Sequence, residues 1–70
     1  MIKLEFDLTA EYVELNKLLK LLGLCETGGH ANIVIEDGQV KYNNEVEFRK
    51  RKKLYKGDVV IYNNHEIKIN

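Results

Sequence analysis

Apolar and polar side chains alternate over Ile2-Lys3-Leu4-Glu5-Phe6, the period-two signature of a half-buried strand. The period then lengthens. Leu15, Leu18, Leu19 and Leu22 recur at i, i+3, i+4 and i+7, and Tyr12 and Leu8 extend the stripe backward, which predicts a helix with one buried face. Asp7 or Thr9 is the expected N-cap, because a short side-chain oxygen can accept from the first free backbone N–H groups. Gly23 is the natural stop. Lys17 and Lys20 fall on the face opposite the leucines.

A second helix is expected from an N-cap at Thr27 to about Asp37, ending at Gly38, with Ala31, Val34 and Ile35 on its buried face. A helix this short is marginal in water, so it must be held against the first helix or a sheet. After Gly38 the period returns to two. Val40 and Tyr42, then Val46 and Phe48, flank Asn43-Asn44, whose residues tolerate positive φ, and together they predict a hairpin. Residues 49–58 read as a charged loop turned by Gly57-Asp58. "VVIY" reads as a strand buried on both faces, Asn63-Asn64 repeats the turn chemistry, and Ile67 and Ile69 share one face of a final strand. The predicted fold is α+β, with two short helices packed on a small antiparallel sheet of four to five strands.

Seventy residues suffice for one small domain, so a single domain over 1–70 is expected. A composition 44% hydrophobic and 31% charged is that of an ordinary soluble protein, without an apolar run that would cross a bilayer. Met1 leads straight into an alternating strand and not into a signal-peptide pattern, which points to a cytoplasmic protein. Cys25 is the only cysteine, so an internal disulfide and a cysteine-based zinc cluster are excluded, and a small, partly buried thiol at a helix end is expected. His30 and His65 lack a third ligand at helical or hairpin spacing, so no metal or other cofactor is expected. Glu45 and Glu47 read as ion-pair partners for Arg49. Nothing assembles a nucleophile, a base and an oxyanion site, which argues against an enzyme.

The formal net charge is zero, but its distribution is uneven. Residues 49–58 hold six cations and one acid, whereas residues 27–48 hold one cation and four acids. Arg49-Lys50-Arg51-Lys52-Lys53, with Lys56 close behind, therefore makes a positive patch on a neutral to acidic body, either a solvated loop or a polyanion site. A second candidate is Thr27-Gly28-Gly29. Helix starts offer unpaired N–H groups, and glycines let a phosphate approach them, although the same residues also make an ordinary turn. No Walker loop or dinucleotide fingerprint is present. His30 sits where it can donate to a phosphate. Among the tyrosines, Tyr55 is the one placed to stack on a base, whereas Tyr12 lies on the apolar stripe.

Taken in order, Leu18–Leu24, Thr27–Gly38, Val40–Asn44 and Leu54–Val60 resemble the small RNA-binding domain named after ribosomal small-subunit protein four, the S-four domain with its αL motif. The Thr-Gly-Gly opening and the basic run before Leu-x-x-Gly-Asp look like its free-standing, single-domain bacterial branch. The resemblance implies binding to structured RNA, ribosomal or transfer RNA, and association with ribosomal particles, by a protein expected to be a monomer. Carried over position by position, it points to Thr27, Gly28 and Gly29, to Lys17 and Lys20, and to Arg49 through Lys53. Asn32 stands where that branch commonly has a cation, and Asn44 stands where the family turn has glycine. The alternative reading is a protein-interaction adaptor docking its basic loop on an acidic partner, with the Glu45/Glu47 strand as a sheet edge.

Overall fold

Two Asn-Asn turns fold the second half of the chain into hairpins. Asn43 and Asn44 have φ of 48° and 72°, and Asn63 and Asn64 have 48° and 64°. The type I′ turn of a two-residue hairpin needs positive φ at both central positions, and asparagine accepts it at low cost. In the computed structural model, which describes residues 1–70, the first turn joins β3 (Val40–Tyr42) to β4 (Glu45–Val46), and the second joins β6 (Val59–Tyr62) to β7 (His65–Ile69). The remaining strands are β1 (Ile2–Phe6) and a separate pair, β2 (Val13–Glu14) and β5 (Lys53–Leu54). The helices are α1 (Leu15–Leu21) and α2 (Gly28–Glu36).

The main sheet has the order β1-β7-β6-β3-β4. The expected two helices on a small sheet are present, with one difference: the sheet is mixed. β1 lies parallel to β7, in the register Ile2↔His65 through Phe6↔Ile69, while the other pairs are antiparallel. The helical crossover intervening between β1 and the hairpins lets the first strand return alongside the seventh in the same direction.

Leu15, Leu18 and Leu19 of α1 and Ala31, Val34 and Ile35 of α2 are buried together with Val40, Val60, Ile67 and Ile69 of the sheet. Burying leucine- or isoleucine-sized side chains contributes about 1.5–3 kcal/mol each, which is what holds helices too short to persist alone. Asn16 and Asn32 join the two helices by a side-chain hydrogen bond of 2.9 Å. Thr27 caps α2 as expected, its hydroxyl accepting from the His30 N–H at 3.0 Å. Cys25 is fully buried, not partly. Burial pushes its thiol pKa up, opposed by a hydrogen bond with Tyr62.

Three local expectations change. The helical stripe does not reach back to Asp7 or Thr9, because Val13 and Glu14 are drawn into antiparallel pairing with Leu54 and Lys53. The basic run is accordingly not a free loop, since it ends in a strand whose Leu54 is fully buried. "VVIY" alternates half-buried and buried positions, as expected when only one sheet face meets the helices.

Gly38 has φ of +81°, and a Cβ there would come within 3.2 Å of the Phe48 ring. Gly38→Ala should therefore lower stability by about 1–2 kcal/mol or more, the cost of a left-handed alanine plus displacement of Phe48. Urea denaturation should show a lower midpoint with an unchanged slope.

Candidate functional site

The first turn of α1 has no side-chain cap. Glu14, its N-cap residue, contributes none. The basic segment does so instead: the Leu15 N–H donates to the Lys52 carbonyl at 2.9 Å and the Asn16 N–H to the Lys50 carbonyl at 3.0 Å. Orphan donors at a helix start need acceptors, and here backbone carbonyls from a sequence-distant segment supply them. The β2–β5 pairing continues the same attachment. The backbone of the cationic run is therefore docked on the body of the protein.

Its side chains separate to different partners. Arg49 donates from Nε to Glu47 Oε2 at 2.9 Å and from Nη2 to Oε1 at 3.0 Å, and its backbone N–H adds a third bond to Oε2 at 3.0 Å. Glu47 is only 7% exposed, and these bonds hold its carboxyl below the usual range against the opposing effect of burial. Beyond Val46 the sheet gains one more bond, from the Glu47 N–H to the Val40 carbonyl at 2.9 Å. The Glu47 carboxylate then turns the chain back on Arg49, and the pairing stops. Lys50 Nζ lies 3.5 Å from Glu36 on α2, and Arg51 Nε donates to Glu14 Oε2 at 2.9 Å. Lys52 sits 4.9 Å over the Tyr42 ring and Lys53 sits 4.8 Å over Tyr12. Lys56 is exposed and makes no ion pair.

The exposed pairs, Lys50–Glu36 and Arg51–Glu14, contribute little stability, but they fix direction. A guanidinium carries five N–H donors. Arg51 commits only Nε, so both of its NH₂ groups remain for a ligand, and Arg49 keeps Nη1 free. Arg49, Arg51, Lys52, Lys53 and Tyr55 line one open concavity of about 460 Å³. Arg51 also lines a neighbouring groove of about 460 Å³ with Tyr12, Lys17 and Leu21. Lys20 lies one helical turn beyond Asn16 and is exposed.

At the start of α2 the N–H groups of Gly28 and Gly29 have no partner in the chain. Neither glycine has positive φ. A Cβ at 28 would meet nothing within 4 Å, and one at 29 would meet only the Thr27 hydroxyl at 3.8 Å. The fold does not require these glycines, yet they leave two donors uncovered. No hydrogen bond or ion pair joins Thr27 through His30 to the basic segment. Lys50 reaches the last turn of α2, whereas Gly28 opens the first, about 12 Å away along the axis.

Sequence reasoning missed Glu14, which orients Arg51, and placed Tyr12 in the core. Tyr12 is 38% exposed and belongs to the cationic surface. Its position three residues before Leu15 mimics the helical stripe. Only recognition of the two-residue strand that follows it would have separated the two readings. Asn32, where the resemblance led a cation to be expected, is occupied in the bond to Asn16.

A family model described as "S4 domain" matches residues 6–70. An Escherichia coli relative named "Putative RNA-binding protein YbcJ" is 45% identical over 58 residues, covering 83% of each chain. A Bacillus subtilis relative named "Probable ribosome maturation protein RlbA" is 36% identical over 54 residues, covering 77% of this chain and 76% of the relative. The solution structure of Escherichia coli YbcJ, described as revealing an αL motif involved in RNA binding, superposes with a TM-score of 0.67 at 39% identity, covering 99% of this chain and 86% of that one.

Two outcomes follow for stability. Because the Glu47 pKa is depressed on folding, its stabilising contribution is present above the ordinary glutamate value of 4.5 and is lost as pH falls through the lower folded value. Glu47→Gln should therefore flatten the acid limb of a stability-versus-pH curve measured by urea unfolding. Gly28→Ala should raise stability by up to about 1 kcal/mol through helix propensity, read as a higher urea midpoint.

Proposed function

The chain belongs to the S4 domain family, and on that premise we propose that it is a non-catalytic RNA-binding protein that holds the backbone phosphates of structured RNA, ribosomal or transfer RNA. The observation that carries this reading is the docking of residues 49–53 on α1. Two backbone hydrogen bonds and a short strand hold the cations in one place, so little ordering entropy is lost when a polyanion binds. Arg49, Lys50, Arg51, Lys52, Lys53 and Lys56 are the main contact. Lys17 extends that contact through the groove it shares with Arg51, Lys20 continues it along α1, and the open N–H groups after Thr27, with His30, form a second contact about one helix length away.

Two contacts so spaced suit separate, non-adjacent phosphates better than a single one gripped from both sides. A helix start contributes about 0.3–1 kcal/mol to an anion, so the cationic segment supplies most of the affinity and Gly28 and Gly29 orient the strand. On this reading the protein acts in the cytoplasm, on ribosomal particles, as a monomeric single domain.

A second reading, an adaptor for an acidic protein, draws support from the open edge at β4, where Val46 is exposed and Phe48 is 60% exposed. Sedimentation with ribosomal particles that nuclease abolishes supports RNA. A nuclease-resistant protein partner supports the adaptor.

Titration of ribosomal RNA fragments should give log K falling with log[salt] at a slope of very roughly −3 to −4 if about four phosphates are engaged. Lys50→Gln/Lys52→Gln/Lys53→Gln should weaken binding and shrink that slope by about 0.7–0.9 for each phosphate no longer neutralised. These lysines are chosen over Arg49, whose replacement would strand a buried carboxylate. Salt-insensitive binding, or a slope unchanged in the triple variant, would count against phosphate recognition. Gly28→Ala should weaken RNA binding while the protein becomes more stable, which separates the two roles of that position.

A further inference from the structure

Val13 pairs with Leu54 in the β2–β5 ladder. The next residues outward in that register are Tyr12 and Tyr55, and their rings meet at a centroid distance of 6.2 Å, tilted by 52°. Backbone pairing thus fixes the two rings relative to each other. Both remain partly open, at 38% and 43% exposure.

The Tyr55 side is held from a second direction. The Tyr55 N–H donates to Asp58 Oδ2 at 2.8 Å, and the Asp58 N–H returns a bond to the Tyr55 carbonyl at 3.0 Å. That turn is itself bonded to β7, through Gly57 N–H to the Ile69 carbonyl at 2.8 Å and Ile69 N–H to the Asp58 carbonyl at 2.9 Å. A tyrosine on a mobile loop would offer no fixed surface, but this one is anchored to the central sheet. Tyr55 lines the same concavity as Arg49, Arg51, Lys52 and Lys53. Lys53 already lies over the Tyr12 ring, so Tyr55 presents the ring available to a ligand.

A rigid aromatic face bordered by four cations complements a ligand with a flat π surface joined to anionic groups on either side. Within RNA, that ligand is a nucleotide whose base is out of the helical stack, because paired bases offer their faces only to their neighbours. Stacking on an aromatic side chain tolerates any base and adds affinity independently of phosphate contacts. We propose that the Tyr12–Tyr55 pair is a stacking platform for one unpaired RNA base, with the flanking phosphates on Arg49, Arg51 and Lys53. The proposal rests on the RNA-binding reading above and adds the kind of RNA element recognised: a bulge, loop or strand end within structured RNA. Tyr12 supports the Tyr55 ring from the side.

Three hairpin RNAs test it: one fully paired, one with a single bulged adenosine, and one with an abasic site at the bulge. Titrations followed by anisotropy of end-labelled RNA should show the bulged hairpin bound roughly tenfold more tightly than the paired one, with the abasic bulge losing that gain. Tyr55→Leu should bring the ratio of bulged to paired affinity to about one, whereas Tyr55→Phe should retain the gain. The abasic comparison uses the unaltered protein, so it stands even if a variant fails to fold. Equal binding of bulged and paired hairpins overturns the platform while leaving phosphate recognition intact. A preference for the bulge that survives both Tyr55→Leu and base removal also overturns it. Binding of none of the three hairpins at low salt sinks both readings.

Discussion

A seven-residue helix whose start has no capping side chain depends on whatever acceptor the rest of the chain brings to it. In this molecule the acceptors are the Lys50 and Lys52 carbonyls. The bonds work in both directions: they satisfy donors that a helix start would otherwise leave open, and they immobilise a run of cations that would repel one another and wander if left as a loop. The positive end of the α1 dipole meets carbonyl oxygens, and the Arg51 guanidinium near it is bonded to the Glu14 carboxylate, which relieves the conflict between a helix N-terminus and adjacent positive charge. The short β2–β5 ladder, the Arg51–Glu14 pair and the juxtaposed tyrosines are all extensions of that one attachment.

Much of the architecture was legible because it rests on local rules. The leucine stripe, the Thr27 cap, the Gly38 stop and both Asn-Asn turns appear where periodicity and turn chemistry place them. What was not legible depends on pairing between distant residues. Residues 12–14 fit the helical stripe as well as they fit a strand, and only Leu54, some forty residues on, decides between them. The parallel placement of β1 likewise follows from the path of the intervening chain and not from its own alternation.

The candidate site divides in the same way. A cluster of five adjacent cations is conspicuous in any sequence, but the glutamates that orient it come from three different segments, at positions 14, 36 and 47. Those glutamates lie in the acidic body that, read as bulk charge, favoured a protein-docking adaptor. In the folded chain they are partners of the basic segment, so zero net charge and a locally organised cationic surface are compatible. The unpaired Gly28 and Gly29 donors answer a separate question: two glycines in a helix start have no conformational task there, and their cost in helix propensity is unexplained by the fold itself.

The parallel alignment of β1 with β7 also governs when the molecule can become complete. Ile2 through Phe6 find their partners in His65 through Ile69, nearly the full length of the chain away, and Leu15 and Asn16 wait for residues 50–52. Contacts of such long sequence separation form late and slow folding. During synthesis, the first strand emerges without its partner and the start of α1 without its acceptors, while the α1–α2 pair and the β3–β4 and β6–β7 hairpins can close on their own neighbours. The first strand is the piece that this topology completes last.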